Sequence, residues 1–240
     1  MKIYYWSPFF TNIATIKAVI KSAESLIRFS KKQKFNVSLI DAIGEWDKYE
    51  KKIDEKINII KLNKIKLLQY LPKNSFIKSR ISYLIIFFWN FIKLINLINK
   101  EKPDFLIIHL MTSLPIFLSI FFNNKTKIIL RISGLPKINF LRYLFWKTFS
   151  NKIYKVTCPT EATYNLLIKK KIFKKEKLYV LSDPIINIED FLKKKKITTL
   201  PKQLQNTKFI LGIGRLTKQK NFELLINFFK KISSKYQDIN

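Results

Sequence analysis

Glycine, cysteine and histidine are scarce in this chain of 240 residues, which contains four glycines, one cysteine and one histidine. The single cysteine, Cys158, excludes a framework of disulfides within the chain and fits a reducing compartment. These residues and the scattered carboxylates provide no ligand set for a metal ion, so neither a metal nor another cofactor is expected. Pro8 and polar side chains stand where the apolar core of a signal peptide would run, so we expect no such peptide and predict a cytoplasmic location.

Acidic residues are also few, 16 against 46 basic residues, which gives a formal net charge of +30. A charge of this size is typical of proteins that bind nucleic acid or an anionic surface. Nearly all the basic residues are lysine, and Lys, Ile, Asn and Phe are abundant throughout, as an A+T-rich coding sequence would give. We therefore expect no nucleic-acid partner and keep an anionic membrane surface or an anionic ligand as the predicted partner of the charge. The few arginines and glycines become the more informative residues.

Two apolar runs resemble membrane spans in length. Ile81–Ile98 contains Asn90 and Lys93, which a helix facing hydrocarbon tolerates poorly, and is interpreted as an amphipathic helix. Phe105–Phe122 is interrupted by His109 and by Pro115 and is interpreted as a buried strand, a turn and a helix.

Predicted strands alternate with predicted helices along most of the chain. The predicted strands are Lys2–Trp6, Val37–Asp41, Ile57–Leu62, Phe105–His109, Lys127–Ile132, Ile153–Cys158, Leu178–Ser182 and Phe209–Ile213. The predicted helices are Thr11–Phe29, Phe76–Asn99, Thr112–Phe122, Asn139–Ser150, Glu161–Lys171 and one that begins at Phe222. This alternation predicts an α/β fold with a Rossmann-like, doubly wound parallel sheet, in which ligands bind at the carboxyl ends of the strands.

The most informative stretch is Phe209–Phe229, FILGIGRLTKQKNFELLINFF. It predicts a strand with two glycines, a basic turn, and a helix capped by Asn221. Such a turn brings backbone and fixed cations close to an anion. An ordinary strand–helix turn with solvated lysines is the alternative, and the residues alone favour the two equally.

The residues GIGRLTKQKNFELLI resemble the G-x-G-R-L-x-x-x-K-x-x-x-x-L-I signature that opens the C-terminal domain of family 4 nucleotide-sugar glycosyltransferases. These enzymes have the GT-B fold of two facing Rossmann-like domains. The resemblance implies that Gly214, Arg215 and Lys220 bind the diphosphate of a nucleotide-sugar donor, and that the acceptor is a polysaccharide or a lipid-linked glycan at the inner face of the membrane. It implies an acceptor-side domain over residues 1–184, a linker over 185–206 and the start of a donor domain over 207–240.

His109 follows a predicted strand in the segment KPDFLIIHL, which resembles a Pro-Asp-hydrophobic-His segment of the family's N-terminal domains. The resemblance implies that His109 faces the cleft and takes part in catalysis or binding. The alternative is a structural histidine in the core.

The remaining candidates follow the next two strands. Arg131, Ser133 and Gly134 come at the end of one strand, and the glycine indicates either a positive φ or a close approach of ligand. Thr160 and Glu161 follow the other strand. The resemblance implies that all five line the cleft. Pairing of Arg131 with a carboxylate is a nearly equal alternative, and simple helix capping by Thr160 is slightly favoured.

Two features depart from the resemblance. The loop SPFFTNIAT after the first strand has no glycine, where many family members carry a glycine-rich loop. The family's Glu-x7-Glu motif is absent. The predicted helix that begins at Phe222 does not supply it, because the residue eight positions after Glu223 is Lys231 and not a glutamate. We therefore expect a glycosyltransferase fragment that ends within its donor domain. The rival prediction is a non-enzymatic basic protein that binds nucleic acid or an anionic membrane surface.

Overall fold

The protein is an α/β structure in which one parallel sheet organises the chain. A computed structural model describes residues 1–11, 14–30, 34–72, 75–123, 125–184, 186–197, 205, 208–214, 216–218 and 220–233. The strands are β1 (Lys2–Trp6), β2 (Asn36–Asp41), β3 (Asn58–Lys61), β4 (Phe105–Ile108), β5 (Lys127–Arg131), β6 (Ile153–Cys158) and β7 (Leu178–Val180). They form a sheet in the order β3-β2-β1-β4-β5-β6-β7, and every neighbouring pair is parallel.

Helices connect the strands and continue beyond the last one. They are α1 (Ala14–Phe29), α2 (Phe76–Glu101), α3 (Ser113–Leu118), α4 (Phe140–Phe149), α5 (Glu161–Lys169), α6 (Ile188–Ile197) and α7 (Phe222–Ser233). Short 3₁₀ turns occur at Asp47–Lys52, Leu67–Gln69, Ser119–Phe121, Ser150–Lys152 and Lys175–Lys177.

Both faces of the sheet are covered by a hydrophobic core. Successive residues of a strand point to opposite faces, so each strand contributes to both cores. In β1, Ile3 and Tyr5 belong to a core that also holds the buried side of α1. Tyr4 and Trp6 belong to a second, larger core with α2, α3, α4 and α5. The predicted α/β fold with a doubly wound, Rossmann-like parallel sheet is therefore confirmed.

The second apolar run has the predicted structure: Phe105–Phe122 forms β4, a turn and α3. The first run lies within α2, which is capped by Ser75, whose side chain accepts a hydrogen bond from the backbone N–H of Lys78. The helix ends at Glu101, and the next residue, Lys102, caps it with a left-handed φ of 47° before Pro103.

The chain divides into two compact units, Met1–Ile185 and Ile186–Asn240. The first contains the whole seven-stranded sheet. The second contains α6, which the sequence analysis did not predict, because a run of lysines was interpreted as part of a linker.

The strand predicted over Phe209–Ile213 is not formed among the described residues; only Lys208 makes an isolated bridge. A strand exists through pairing with a neighbour, and this segment has no neighbouring strand in the described part of the second unit. Its side chains accordingly remain accessible: Ile210 is 47%, Leu211 69% and Ile213 82% exposed. The helix predicted to follow is present as α7.

Candidate functional site

The candidate site lies at the carboxyl edge of the sheet, where its strand order reverses. The reversal falls between β1 and β4, with β2 and β3 on one side and β5, β6 and β7 on the other. Ligands of open α/β sheets bind in the crevice at such a switch point. Trp6 pairs with Ile108, so the next residues, Ser7 and His109, leave the sheet side by side. The backbone N–H of His109 also donates to the carbonyl of Trp6 at 3.0 Å.

The side chain of His109 is buried and uncharged. It is 4% exposed, and its ring stacks on that of Tyr5 with 6.2 Å between centroids. Burial, with a smaller contribution from the charge of Arg131, lowers the pKa of His109 from 6.5 to about 3. At neutral pH this residue therefore offers one N–H donor and one nitrogen acceptor, and no positive charge.

Three buried side chains near this edge have polar atoms without a hydrogen-bond partner in the described part of the chain. They are the hydroxyls of Ser7 and Thr157 and both ring nitrogens of His109. Thr157 pairs with Arg131 and is the penultimate residue of β6, so it also lies at the carboxyl end. A buried polar group left unpaired costs about 1–3 kcal/mol, so these atoms call for a partner such as a water or a ligand. Neither residue was predicted as part of the site: Ser7 follows a predicted strand and could have been found by that position, whereas Thr157 carries no signal in the sequence.

Arg131 is engaged by the segment that follows β7. Its Nε donates to Oδ1 of Asp183 at 3.0 Å, and Nη2 donates to the same oxygen. Nη2 also donates to the carbonyls of Leu181 at 3.3 Å and Ser182 at 3.1 Å. The alternative of pairing with a carboxylate is thus confirmed. These hydrogen bonds tie the end of β5 to the chain beyond β7, and they are shielded from water because Arg131 is only 5% exposed.

The two loops that carry the other cleft candidates contact one another. The Thr163 hydroxyl donates to the carbonyl of Gly134 at 3.4 Å and lies 3.1 Å from the hydroxyl of Thr160. Gly134 has a φ of +81°, which explains the glycine through its backbone conformation. A Cβ there would meet nothing within 4 Å, so the space beside it is open.

The side chain of Thr160 caps α5 by accepting a hydrogen bond from the N–H of Thr163, as the favoured alternative predicted. Ser133, Thr160 and Glu161 are exposed at this edge, whereas Arg131 and His109 are buried. The candidates from the first unit therefore divide into an accessible loop set and a buried set.

A buried carboxyl pair at the end of β2 was not anticipated. Both oxygens of Glu45 accept the N–H of Ala42, at 3.1 and 3.0 Å, and one accepts the N–H of Ile43 at 2.7 Å. Asp41 accepts the N–H of Gly44 at 2.6 Å. Burial, together with the hydrogen bond and charge of Asp41, raises the pKa of Glu45 well above its ordinary value. No spacing in the sequence distinguishes these acids from surface acids.

In the second unit, the segment before α7 packs closely on that helix. A Cβ on Gly212 would lie 2.8 Å from the Phe222 ring and 2.9 Å from the Leu225 side chain, so this position requires glycine unless those side chains shift. A Cβ on Gly214 would lie 3.4 Å from the Lys220 side chain, so these two predicted diphosphate-binding residues are neighbours.

The side chain of Asn221 accepts a hydrogen bond from the N–H of Leu224 at 3.4 Å, which is the predicted N-cap. Arg215, the third residue predicted to bind the diphosphate, lies outside the described residues.

The two cavities described for the chain lie away from the candidate site, and its described residues form no metal cluster. No group of three or more His, Cys, Asp or Glu side chains in the described ranges is arranged to hold a metal ion. Two open surface cavities lie elsewhere: one of about 800 Å³ is lined by residues from Glu50 to Lys61, and one of about 330 Å³ is lined by residues that include Tyr4 and Glu101.

Comparison with known proteins supports the fold through structure alone. No protein-family model and no curated protein matches the sequence. Among solved structures, a glycosyltransferase from Rickettsia africae ESF-5 matches with a TM-score of 0.60 and 15% identity, over 97% of this chain and 57% of that one. A UDP-GlcNAc 2-epimerase from Neisseria meningitidis, solved with UDP-GlcNAc bound, matches with a TM-score of 0.55 and 20% identity, over 100% of this chain and 64% of that one.

A third structure, Alr3699/HepE from Anabaena in complex with UDP and glucose, matches with a TM-score of 0.56 and 12% identity, over 95% of this chain and 57% of that one. The chain thus spans between 57% and 64% of the length of these three proteins. It has the Rossmann-like α/β fold found in glycosyltransferases and epimerases of the GT-B type.

Proposed function

We propose that this chain acts in nucleotide-sugar chemistry as a family 4 glycosyltransferase, moving a sugar from a nucleotide-sugar donor to a polysaccharide or lipid-linked glycan at the inner face of the membrane. Residues 1–184 would form the acceptor-side domain, 185–206 the linker and 207–240 part of the donor domain. We propose no metal or other cofactor. The neighbouring structures include proteins solved with UDP-GlcNAc or with UDP and glucose, which supports a nucleotide-sugar ligand.

The observation that carries the proposal is the packing of the G-x-G-R-L-x-x-x-K segment onto α7. Gly212 admits the close approach to Phe222 and Leu225, and Gly214 lies against Lys220 at the capped start of the helix. This packing brings the Lys220 side chain to the start of a helix, where a fixed cation and free backbone N–H groups together favour an anion. Arg215 and Lys220 would supply the positive charge that stabilises a departing diphosphate.

In the first unit, the open space beside Gly134 and the exposed side chains of Ser133, Thr160 and Glu161 would accept the sugar acceptor. His109 would contribute a neutral hydrogen-bonding group, and Arg131 would hold the edge in place through Asp183. Because the Glu-x7-Glu motif is absent from the sequence, binding of nucleotide, rather than turnover, is the first test.

The test is a calorimetric titration of the chain with UDP, ADP and GDP and with the corresponding nucleotide-sugars. One nucleotide should bind in preference to the others, and Arg215→Ala and Lys220→Ala should each weaken it about tenfold, the loss of one charged hydrogen bond. Lys218→Ala is the matched control, because it removes the same charge from the same turn at a variable position of the motif. Equal losses in all three variants, together with binding that collapses with salt and ignores the base, would favour the rival basic binder.

A further inference from the structure

The outward face of α2 carries a continuous apolar stripe. Its residues recur at intervals of three or four positions, which places them within about 80° of the helix circumference and along about 22 Å of its length. They are Ile77, Ile81, Leu84, Phe88 and Ile92, with exposed fractions of 71%, 45%, 58%, 71% and 67%. We refer to these five residues as the α2 stripe.

The opposite face of α2 is fixed to the protein. Ile86, Leu94 and Ile98 are buried in the larger core. The Ser82 hydroxyl donates to the carbonyl of Pro72 at 2.7 Å, and Asn90 is buried, its amide donating within the helix to the carbonyl of Ile86 at 3.0 Å. An apolar helix face normally lies against protein or lipid, and here only the face opposite the α2 stripe lies against protein.

By length and composition alone, Ile77–Glu101 would suffice to cross a membrane, yet 28% of its most apolar window is buried inside the protein. Spanning would require the helix to leave the core and to place Asn90, which also accepts a hydrogen bond from Asn63 at 2.9 Å, in hydrocarbon. The helix therefore presents one apolar face to its surroundings while the other stays in the fold. This is the arrangement of a helix that lies in a membrane interface.

Positive charge accompanies the stripe. The helix carries the exposed residues Lys78, Arg80, Lys93 and Lys100 and has no acidic residue before Glu101. At about 100° per residue, Lys78 and Arg80 flank the stripe on its two sides. Trp89, 37% exposed, lies beyond the stripe on the side of Lys78, and the Lys93 ammonium lies 5.2 Å from the centre of its ring. Tryptophan and lysine at the rim of an apolar face are typical of the boundary between lipid headgroups and acyl chains.

We propose that the α2 stripe docks on an anionic lipid bilayer, with the helix axis in the plane of the membrane and the five apolar side chains at the level where the acyl chains begin. The charge selects this occupant. A second copy of the chain would bring two sets of like charges together, and a nucleic acid would leave the apolar stripe exposed to water. The inference does not rest on the proposed transferase activity.

The experiment uses the full chain without nucleotide. Flotation with vesicles of phosphatidylethanolamine and phosphatidylglycerol should carry the protein with the lipid, and vesicles of phosphatidylcholine should retain about tenfold less. The double variant Leu84→Gln, Phe88→Gln should lower binding to the anionic vesicles about tenfold or more, because it removes apolar area and adds no charge. Phe29→Gln with Ile65→Gln is the matched control: these side chains are 68% and 57% exposed and lie outside α2, and binding should not change.

A spectroscopic signal tests the orientation. Trp6, Trp46 and Trp146 are buried, so a blue shift of tryptophan emission on addition of anionic vesicles should come from Trp89 and disappear in Trp89→Phe. Urea unfolding should show that the α2 variant keeps the parent's stability.

Three outcomes would overturn the proposal. The α2 variant could bind vesicles as well as the parent does, or the parent could bind both kinds of vesicle equally. The parent could also bind no vesicles and form a dimer that the α2 variant converts to a monomer, which would make the stripe an interface between two copies of the chain. Because no nucleotide is present, a failure here leaves the nucleotide titration unaffected.

Discussion

Arg131 and Asp183, 52 residues apart in sequence, join the end of β5 to the chain beyond β7, with 3.0 Å between Nε and Oδ1. Both are largely withdrawn from water, their side chains being 6% and 19% exposed. A pair this buried contributes little net stability over an apolar pair of the same shape, but removal of one partner leaves a buried charge uncompensated. Its consequence is therefore best seen by deleting one partner.

Arg131→Ala should lower the free energy of unfolding by about 3 kcal/mol, because it strands the carboxylate of Asp183 and the carbonyls of Leu181 and Ser182. Urea denaturation followed by circular dichroism measures the change. Lys137→Ala, which removes a positive charge from an exposed position, should change stability by less than about 0.5 kcal/mol. A stable Arg131→Ala variant with impaired ligand binding would instead assign Arg131 to the ligand.

His109 should make the protein sensitive to acid. The folded protein keeps its imidazole neutral down to a pKa of about 3, whereas the unfolded chain takes up the proton near the ordinary value of 6.5. Stability from this group is thus fully present above pH 6.5 and is lost as the pH falls, by about 2.5 kcal/mol at pH 4.5.

The matched variant is His109→Phe, which keeps a ring against Tyr5 and removes two buried nitrogens that have no hydrogen-bond partner in the described part of the chain. At pH 7.5 it should be at least as stable as the parent. Its free energy of unfolding, measured from pH 4.5 to 7.5, should lose the part of the slope that His109 causes. The same slope in both proteins would show that His109 is accessible to protons in the folded state.

The strands of the sheet centre could be predicted because parallel strands buried on both faces consist of nearly continuous apolar residues. β1 and β6 have the predicted bounds, and the parallel sheet follows from the alternation of strands with helices. The burial of side chains such as His109 at the carboxyl edge of the sheet could not be predicted. Whether His109 faces a cleft or the core depends on side chains from Tyr5 and other strands, which no local pattern reports.

In the candidate site, too, features that depend on adjacent residues were predictable, and features that depend on distant residues were not. The caps made by Thr160 and Asn221 and the positive φ of Gly134 were predictable, because each depends on a few adjacent residues. The choice between a free and a paired Arg131 depended on a residue 52 positions away. The predicted strand over Phe209–Ile213 was wrong for a related reason: its apolar pattern is local, whereas a strand needs a neighbour.

The two glycines of the motif should respond differently to the same added methyl group. Gly212→Ala would place a Cβ 2.8 Å from the ring of Phe222 and 2.9 Å from Leu225, and should cost about 1 kcal/mol as those side chains shift. Gly214→Ala meets no atom closer than 3.4 Å and should leave stability nearly unchanged. Hydrogen exchange of the α7 amides separates the two, since only Gly212→Ala should accelerate it. Equal acceleration in both variants would mean that loss of backbone freedom, and not contact with α7, explains these glycines.

Glu45 should act in the opposite direction to His109. Because burial and the neighbouring Asp41 raise its pKa above 4.5, the folded protein holds a proton that the unfolded chain releases. The stability that Glu45 provides is fully present below pH 4.5 and is lost as the pH rises through the raised pKa. Glu45→Gln imitates the protonated acid: its amide can donate to Asp41 while its oxygen accepts the N–H of Ile43. This variant should therefore match the parent in acid and exceed its stability by about 1 kcal/mol at pH 8.

Unfolding in urea at pH 5 and pH 8 measures the difference, and Glu50→Gln, which removes the same charge from an exposed position, serves as the control. Glu45→Ala should be less stable than the parent by about 2 kcal/mol at both pH values, because it leaves the buried N–H groups of Ala42 and Ile43 without an acceptor. A Glu45→Gln variant as unstable as Glu45→Ala would show that the folded protein needs the ionised carboxylate. The bonds to the backbone would then outweigh the repulsion from Asp41.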